Sequence, residues 1–127
     1  MIMRIGIIGS RGFHDSALVY STLNKLISNR GEDVIVCSSG KGSDEVVHNW
    51  ADTNKVDVIT FRPYNFVDRK VPHRPNYFYF CNKQIIDNSD AVVVFYDGKE
   101  KCTLAAHEYA VSKNIEVLAY IDLSIEG

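Results

Sequence analysis

Short apolar runs alternate along this chain with stretches of helical periodicity, a pattern few folds accept. The runs are Arg4–Ile8, Asp33–Cys37, Val58–Phe61, Ala91–Tyr96 and Ile115–Ile121. They are too short for independent helices and rich in Val and Ile, so they read as buried strands. From Ser16, apolar residues recur as Leu18, Val19, Leu23, Leu26 and Ile27, which is helical spacing; Asp15 or Ser16 caps the start and Gly31 lies past the end. Ser43 or Asp44 opens a second helix carrying Val46, Val47, Trp50 and Ala51. Asn76–Asn88 reads as a third helix, with Pro75 near its first turn, and Thr103–Lys113 as a fourth, with Leu104, Ala106, Tyr109 and Ala110 as its apolar stripe. The order is βαβαβ, a loop, then αβαβ. Such alternation predicts a single Rossmann-like α/β domain over residues 1–127. Its sheet is five-stranded and mainly parallel, with helices on both faces and right-handed crossovers.

Bulk properties narrow the function classes. The chain has 127 residues, 46% of them hydrophobic and 24% charged, which suits one soluble domain. A net charge of −2 argues against broad nucleic-acid binding through a basic face, while local basic residues still allow a small anionic ligand. Cys37, Cys81 and Cys102 form no C-x-x-C pair, and their odd count speaks against a disulfide framework. Cys37 is expected to be buried in its strand. No apolar run approaches the ~20 residues of a membrane span. The first residues pass straight into a strand, without the pattern of a signal peptide. The expected location is the cytoplasm, with no membrane partner.

Three turns carry the candidate chemistry. Gly9-Ser10-Arg11-Gly12-Phe13 follows the first strand, Ser38-Ser39-Gly40-Lys41-Gly42-Ser43 the second, and Asp97-Gly98-Lys99 the fourth. In a parallel sheet all three fall on the edge formed by the carboxyl ends of the strands, where ligands of such folds bind. Small residues let the backbone approach a ligand, and N–H groups at helix starts favour anions. The edge therefore reads as a site for a phosphate-bearing ligand. Ser10 and Arg11 either hold phosphate or ribose, or are a turn serine and a surface arginine. Gly40, Lys41, Gly42 and Ser43 either cradle a phosphate or form a tight turn and a cap; the P-loop spacing is absent. Asp44 either holds a ribose hydroxyl or caps its helix. Thr103 can cap the last helix and still offer its hydroxyl to phosphate, and Lys99 and Lys101 are either anion attractors or ordinary loop lysines.

Outside the turns, Asn82 either reads a base edge or ribose or is an exposed helical asparagine. Tyr77, Phe78, Tyr79 and Phe80 cannot all face one way, so most are core or contacts between copies, and one or two are candidates to stack on a base. The segment from Arg62 to Pro75 holds all three prolines with Arg62, Tyr64, Arg69, His73 and Arg74, and either closes over a ligand or is a solvated loop. His14, His48, His73 and His107 form no close ligand motif, so neither a metal nor a cofactor is expected.

In their order and spacing the turns resemble the SLOG superfamily. Gly9-Ser10-Arg11-Gly12-Phe13, Ser39-Gly40-Lys41-Gly42-Ser43-Asp44 and Phe95-Tyr96-Asp97-Gly98 are similar to its signatures, nearest to the small YspA-like (DUF2493-type) proteins of bacteria and phages. The resemblance runs over nearly the whole chain. It implies a nucleotide-like ligand; with the placement of the turns and the loop, the expected contacts are Gly9, Ser10, Arg11, Phe13, Ser39 to Asp44, Arg74, Asn82, Asp97, Gly98, Lys99 and Thr103. The chain departs from the pattern at Cys81-Asn82, where Arg-Asn is usual, and at Cys102-Thr103, where Gly-Thr is usual. Related phosphoribohydrolases carry glutamates in the turn after Gly-Thr; here Ala105 and Ala106 stand there.

The expectation is therefore binding without turnover. The ligand would be an ADP-ribose-like or cyclic nucleotide signal, held for instance by a phage protein that sequesters a host immune messenger. The alternatives are a phosphoribohydrolase or nucleotide hydrolase, with Asp44, Asp97 and Glu108 as the candidate carboxylates, and a protein-interaction module. A homo-oligomer is expected, with the Asn76–Asn88 helix as its candidate interface.

Overall fold

The computed structural model describes residues 2–10, 15–27, 34–38, 43–61 and 74–122, with only the backbone described at 43–45 and 74–80. Its elements are β1 (Met3–Gly9), α1 (Ser16–Ile27), β2 (Val34–Ser38), α2 (Ser43–Asn54), β3 (Asp57–Thr60), α3 (Arg74–Asp87), β4 (Ala91–Tyr96), α4 (Lys101–Ser112) and β5 (Glu116–Asp122). The five strands form one sheet in the order β3-β2-β1-β4-β5, and every pairing is parallel. This is the single Rossmann-like α/β domain that the alternation predicts.

Each central strand divides its side chains between two cores. Ile5 and Ile7 of β1, Val34 and Val36 of β2, and Val93 and Phe95 of β4 pack with Val19, Leu23 and Ile27 of α1 and Val47, Trp50 and Ala51 of α2. On the other face, Ile8, Cys37, Val92 and Val94 meet Cys81, Ile85 and Ile86 of α3 and Ala106 and Ala110 of α4. Burial on both faces is why β4 reads as an unbroken apolar run and not as an alternating one. Cys37 is fully buried, as expected of its strand, and burial pushes its thiol above the ordinary value. The apolar stripe of α3, on the helix expected to join copies, packs on this chain's own sheet.

Local chemistry sets the helix ends. Asp15 Oδ1 accepts the Leu18 N–H at 3.0 Å, so Asp15 caps α1. Two helices end on left-handed residues, Lys55 (φ 57°) and Asn114 (φ 59°). Behind them Val56 N–H donates to Ala51 O (2.9 Å) and Ile115 N–H to Ala110 O (3.0 Å), closing the last turns. Trp50 Nε1 donates to Asn24 Oδ1 at 2.7 Å and pins α2 to α1. Gly6 lets α3 approach β1: a Cβ there would lie 2.5 Å from Ser89 Oγ and 2.8 Å from Ile85 Cγ2. Between β4 and β5 the register slips, Val92 pairing with Val117 but Val93 with Ala119, which leaves Leu118 as a bulge.

From β1 the chain winds outward through β2 to β3, then crosses by α3 to β4 on the other side of β1. The carboxyl ends of β1 and β4 therefore flank the point where the winding reverses, and open α/β sheets bind ligands at that crevice.

Candidate ligand edge at the carboxyl ends of the strands

Ser10 follows β1 and continues its ladder, its N–H donating to Phe95 O at 2.9 Å. Its Oγ lies 2.8 Å from Thr103 Oγ1 on the first turn of α4, and both residues are fully buried. The Asp97 N–H donates to Ser10 Oγ at 3.1 Å. Asp97 Oδ1 in turn accepts the N–H groups of Lys99 (2.8 Å) and Glu100 (2.9 Å). Gly98 between them has φ 89°, a conformation that suits glycine. Burial raises the Asp97 pKa, but the donors outweigh it: Glu100 N–H, Lys99 N–H, the Ser10 hydroxyl and its own N–H hold the carboxyl below its ordinary value. Either hydroxyl of the Ser10–Thr103 pair can be the donor, and the Ser10 oxygen also accepts the Asp97 N–H. Three elements are thus joined by one chain of hydrogen bonds, Thr103 to Ser10 to Asp97.

This network gives three sequence-predicted residues particular places. The hydroxyls of Ser10 and Thr103 point at each other and not at solvent, which makes them positioning groups for the two turns. Thr103 is not the cap of α4. The helix begins at Lys101, its cap residue Glu100 makes no side-chain capping bond, and Asp97 satisfies the preceding N–H groups instead. Asp97 is held ionised by several donors and is therefore a poor proton acceptor for hydrolysis. Glu108, another hydrolytic candidate, is exposed on α4.

Asn82 departs from the picture of an exposed helical residue. It is 8% exposed, and its amide has no hydrogen-bond partner among the described residues. Its neighbour Cys81 donates from Sγ to Phe61 O at 2.6 Å, and the Phe61 N–H donates to Ser38 O at 2.7 Å. Those contacts put this part of α3 level with the carboxyl ends of β2 and β3. A signal for its burial stood in the sequence: Asn82 precedes Ile85 and Ile86 by three and four positions, on one helix face.

Sequence reasoning weighed His48 only as a metal ligand. Its Nε2 lies 3.4 Å from Thr60 Oγ1 at the end of β3. Among the described residues no group of three or more His, Cys, Asp or Glu could hold a metal ion. Gly9 ends β1, and Gly98 and Lys99 sit in the Asp97 turn. Arg11, Phe13, Ser39, Gly40, Lys41 and Gly42 lie outside the described residues, as do the loop residues Arg62, Tyr64, Arg69 and His73 and the side chains of Ser43, Asp44 and Arg74. Among the described residues no helix is long and apolar enough to cross a membrane.

A parallel five-stranded sheet whose order reverses between β1 and β4 defines the class as a Rossmann-like α/β domain. Residues 3–65 match the YAcAr family (YspA, cpYpsA-related SLOG family), the superfamily that the motifs resemble. The fold is also similar to a solved structure of DNA processing protein A from Helicobacter pylori, described by its single-stranded DNA binding mode. The TM-score is 0.66 at 15% sequence identity, over 92% of this chain and 64% of that one. This chain therefore spans less than two thirds of that protein's length. No curated protein matches the sequence.

Two expectations are corrected here. The first argued against broad nucleic-acid binding because the net charge is −2. The same fold occurs in a protein that binds single-stranded DNA, and a whole-chain sum says little about one edge, where backbone N–H groups and helix starts attract phosphate without a basic face. The second named an ADP-ribose-like or cyclic nucleotide messenger held for sequestration, with a hydrolase or an interaction module behind it. The family match names no messenger, and the structural likeness leads to a DNA-binding protein instead.

Proposed function

We propose that the edge formed by the carboxyl ends of β1, β2 and β4 binds nucleotide units and that single-stranded DNA is its ligand. Asn82 carries this reading. An amide that is 8% exposed and has no partner among the described residues costs folding free energy. Such a cost is tolerable where the group is completed by a ligand, and an amide matches the donors and acceptors of a base edge or a ribose. The Ser10–Thr103–Asp97 network supports the reading by fixing the turn after β4 before any ligand arrives, which lowers the cost of ordering it on binding. The SLOG match and the likeness to a single-stranded DNA-binding protein agree with it.

The test is a fluorescence-anisotropy titration of a labelled oligothymidylate with the wild-type protein and with Asn82→Leu, alongside denaturant unfolding. Loss of an unsatisfied buried amide leaves the variant at least as stable as wild type, while its affinity for the oligonucleotide falls about 10-fold. Equal affinity in the two proteins, or none in the wild type, would overturn the proposal.

A further inference from the structure

A second feature lies beside the strand-end network. The ring of Tyr120 on β5 is 4.4 Å from the ring of His107 on α4, tilted by 33°, and 6.4 Å from the ring of Tyr96 at the end of β4. Tyr96 is nearly buried, whereas Tyr120 and His107 are half-buried. Among the described residues β5 is an edge strand of the sheet, paired only with β4. Burial, first, and then the nearby Asp122 carboxylate raise the Tyr120 pKa. The ring is thus backed on one side and partly open to solvent.

Its position is continuous with the proposed ligand edge. Tyr96 immediately precedes Asp97, and His107 stands one helical turn, about 6 Å, after Thr103. The charge at this place matters as well. The Asp122 carboxylate beside Tyr120 repels a phosphate but leaves the face of a neutral base unaffected, so the cluster suits the base and not the backbone of a nucleotide. Stacking of this kind tolerates any sequence, because every base presents a π face.

We infer that Tyr120, backed by His107 and Tyr96, is a stacking platform for a base of single-stranded DNA whose neighbouring nucleotide lies at the carboxyl ends of the strands. The inference rests on the DNA-binding reading above and adds to it a second contact, made to the base and blind to its identity.

The test compares an oligothymidylate with an abasic phosphodiester chain of equal length. Wild-type protein is expected to bind the thymidylate about 10-fold more tightly than the abasic chain. Tyr120→Leu keeps apolar volume beside α4, and it should bring thymidylate affinity close to that for the abasic chain while leaving the latter unchanged. Tyr120→Phe, which keeps the ring and loses the phenol, should retain most of the preference. If circular dichroism shows Tyr120→Leu to be unfolded, His107→Ala replaces it and should narrow the same gap. Persistence of the wild-type gap in the folded variants overturns the platform and leaves the strand-edge reading standing. Failure of the wild-type protein to bind either chain overturns both.

Discussion

Ser10 and Thr103, 93 positions apart in the sequence, share a buried hydrogen bond of 2.8 Å that ties the end of β1 to the first turn of α4. The pair sits at the winding reversal of the sheet and fixes the spacing of two turns at once. Ser10→Ala removes the acceptor of the Asp97 N–H and the partner of the Thr103 hydroxyl together. It should destabilise the fold by about 1–3 kcal/mol. Thr103→Val should cost less, and the double variant should cost less than the sum of the single ones, because each change orphans a group that the other removes. Urea unfolding of the four proteins measures the coupling; strict additivity would mean that the pair is not a unit.

Asp97 gives the molecule an acid-sensitive element. Its pKa is lowered by folding, so the stability it contributes is complete above the unfolded-state value and disappears as pH falls through the lower folded-state value. The stability difference between wild type and Asp97→Asn should be constant from neutral pH down to about pH 5 and should shrink below about pH 4. Chemical unfolding across that range checks it, and a difference that grows on acidification would have the wrong sign.

Gly6 permits the close approach of α3 to β1. In Gly6→Ala the new Cβ meets Ser89 Oγ at 2.5 Å and Ile85 Cγ2 at 2.8 Å. Overpacking of this kind costs about 1–3 kcal/mol. Adding Ser89→Ala should recover only part of the loss, because Ile85 and the Ser89 Cβ remain. Thermal melts of the single and double variants decide it.

Lys55 holds φ 57° at the end of α2, a conformation that costs a side-chain-bearing residue about 1–2 kcal/mol. Lys55→Gly relieves that strain but enlarges the freedom of the unfolded chain, for a net gain of about 0.5 kcal/mol. A melting temperature below that of wild type would contradict this account. The single tryptophan, Trp50, is fully buried and hydrogen-bonded to Asn24, so its emission reports unfolding in all these experiments.

The sequence carries some of this architecture openly. Ala91–Tyr96 is legible residue for residue, because a strand buried on both faces must be apolar throughout. The alternation of strands and helices also brings the strand-end turns to one edge before any coordinates are seen. The start of α4 was less legible: Thr103 has the chemistry of a cap, yet the helix begins at Lys101 because a carboxylate from the preceding turn binds the N–H groups of Lys99 and Glu100. β3 ends at Thr60, and Phe61, read as strand, instead gives its carbonyl to Cys81. The pairing of Ser10 with Thr103 and the ring contact of His107 with Tyr120 depend on strand order. Periodicity along a chain does not encode that order.

The central claim is that single-stranded DNA binds at the carboxyl ends of the strands. The most direct measurement is a map of backbone amide chemical shifts as an oligothymidylate is added to isotope-labelled protein. The account predicts shifts concentrated at Ser10, Asp97 to Thr103 and Asn82, with Arg4 and Asn88 to Asp90 at the opposite edge unmoved. Shifts gathered at Arg4 and Asn88 to Asp90, or none at a saturating oligonucleotide concentration, would contradict it.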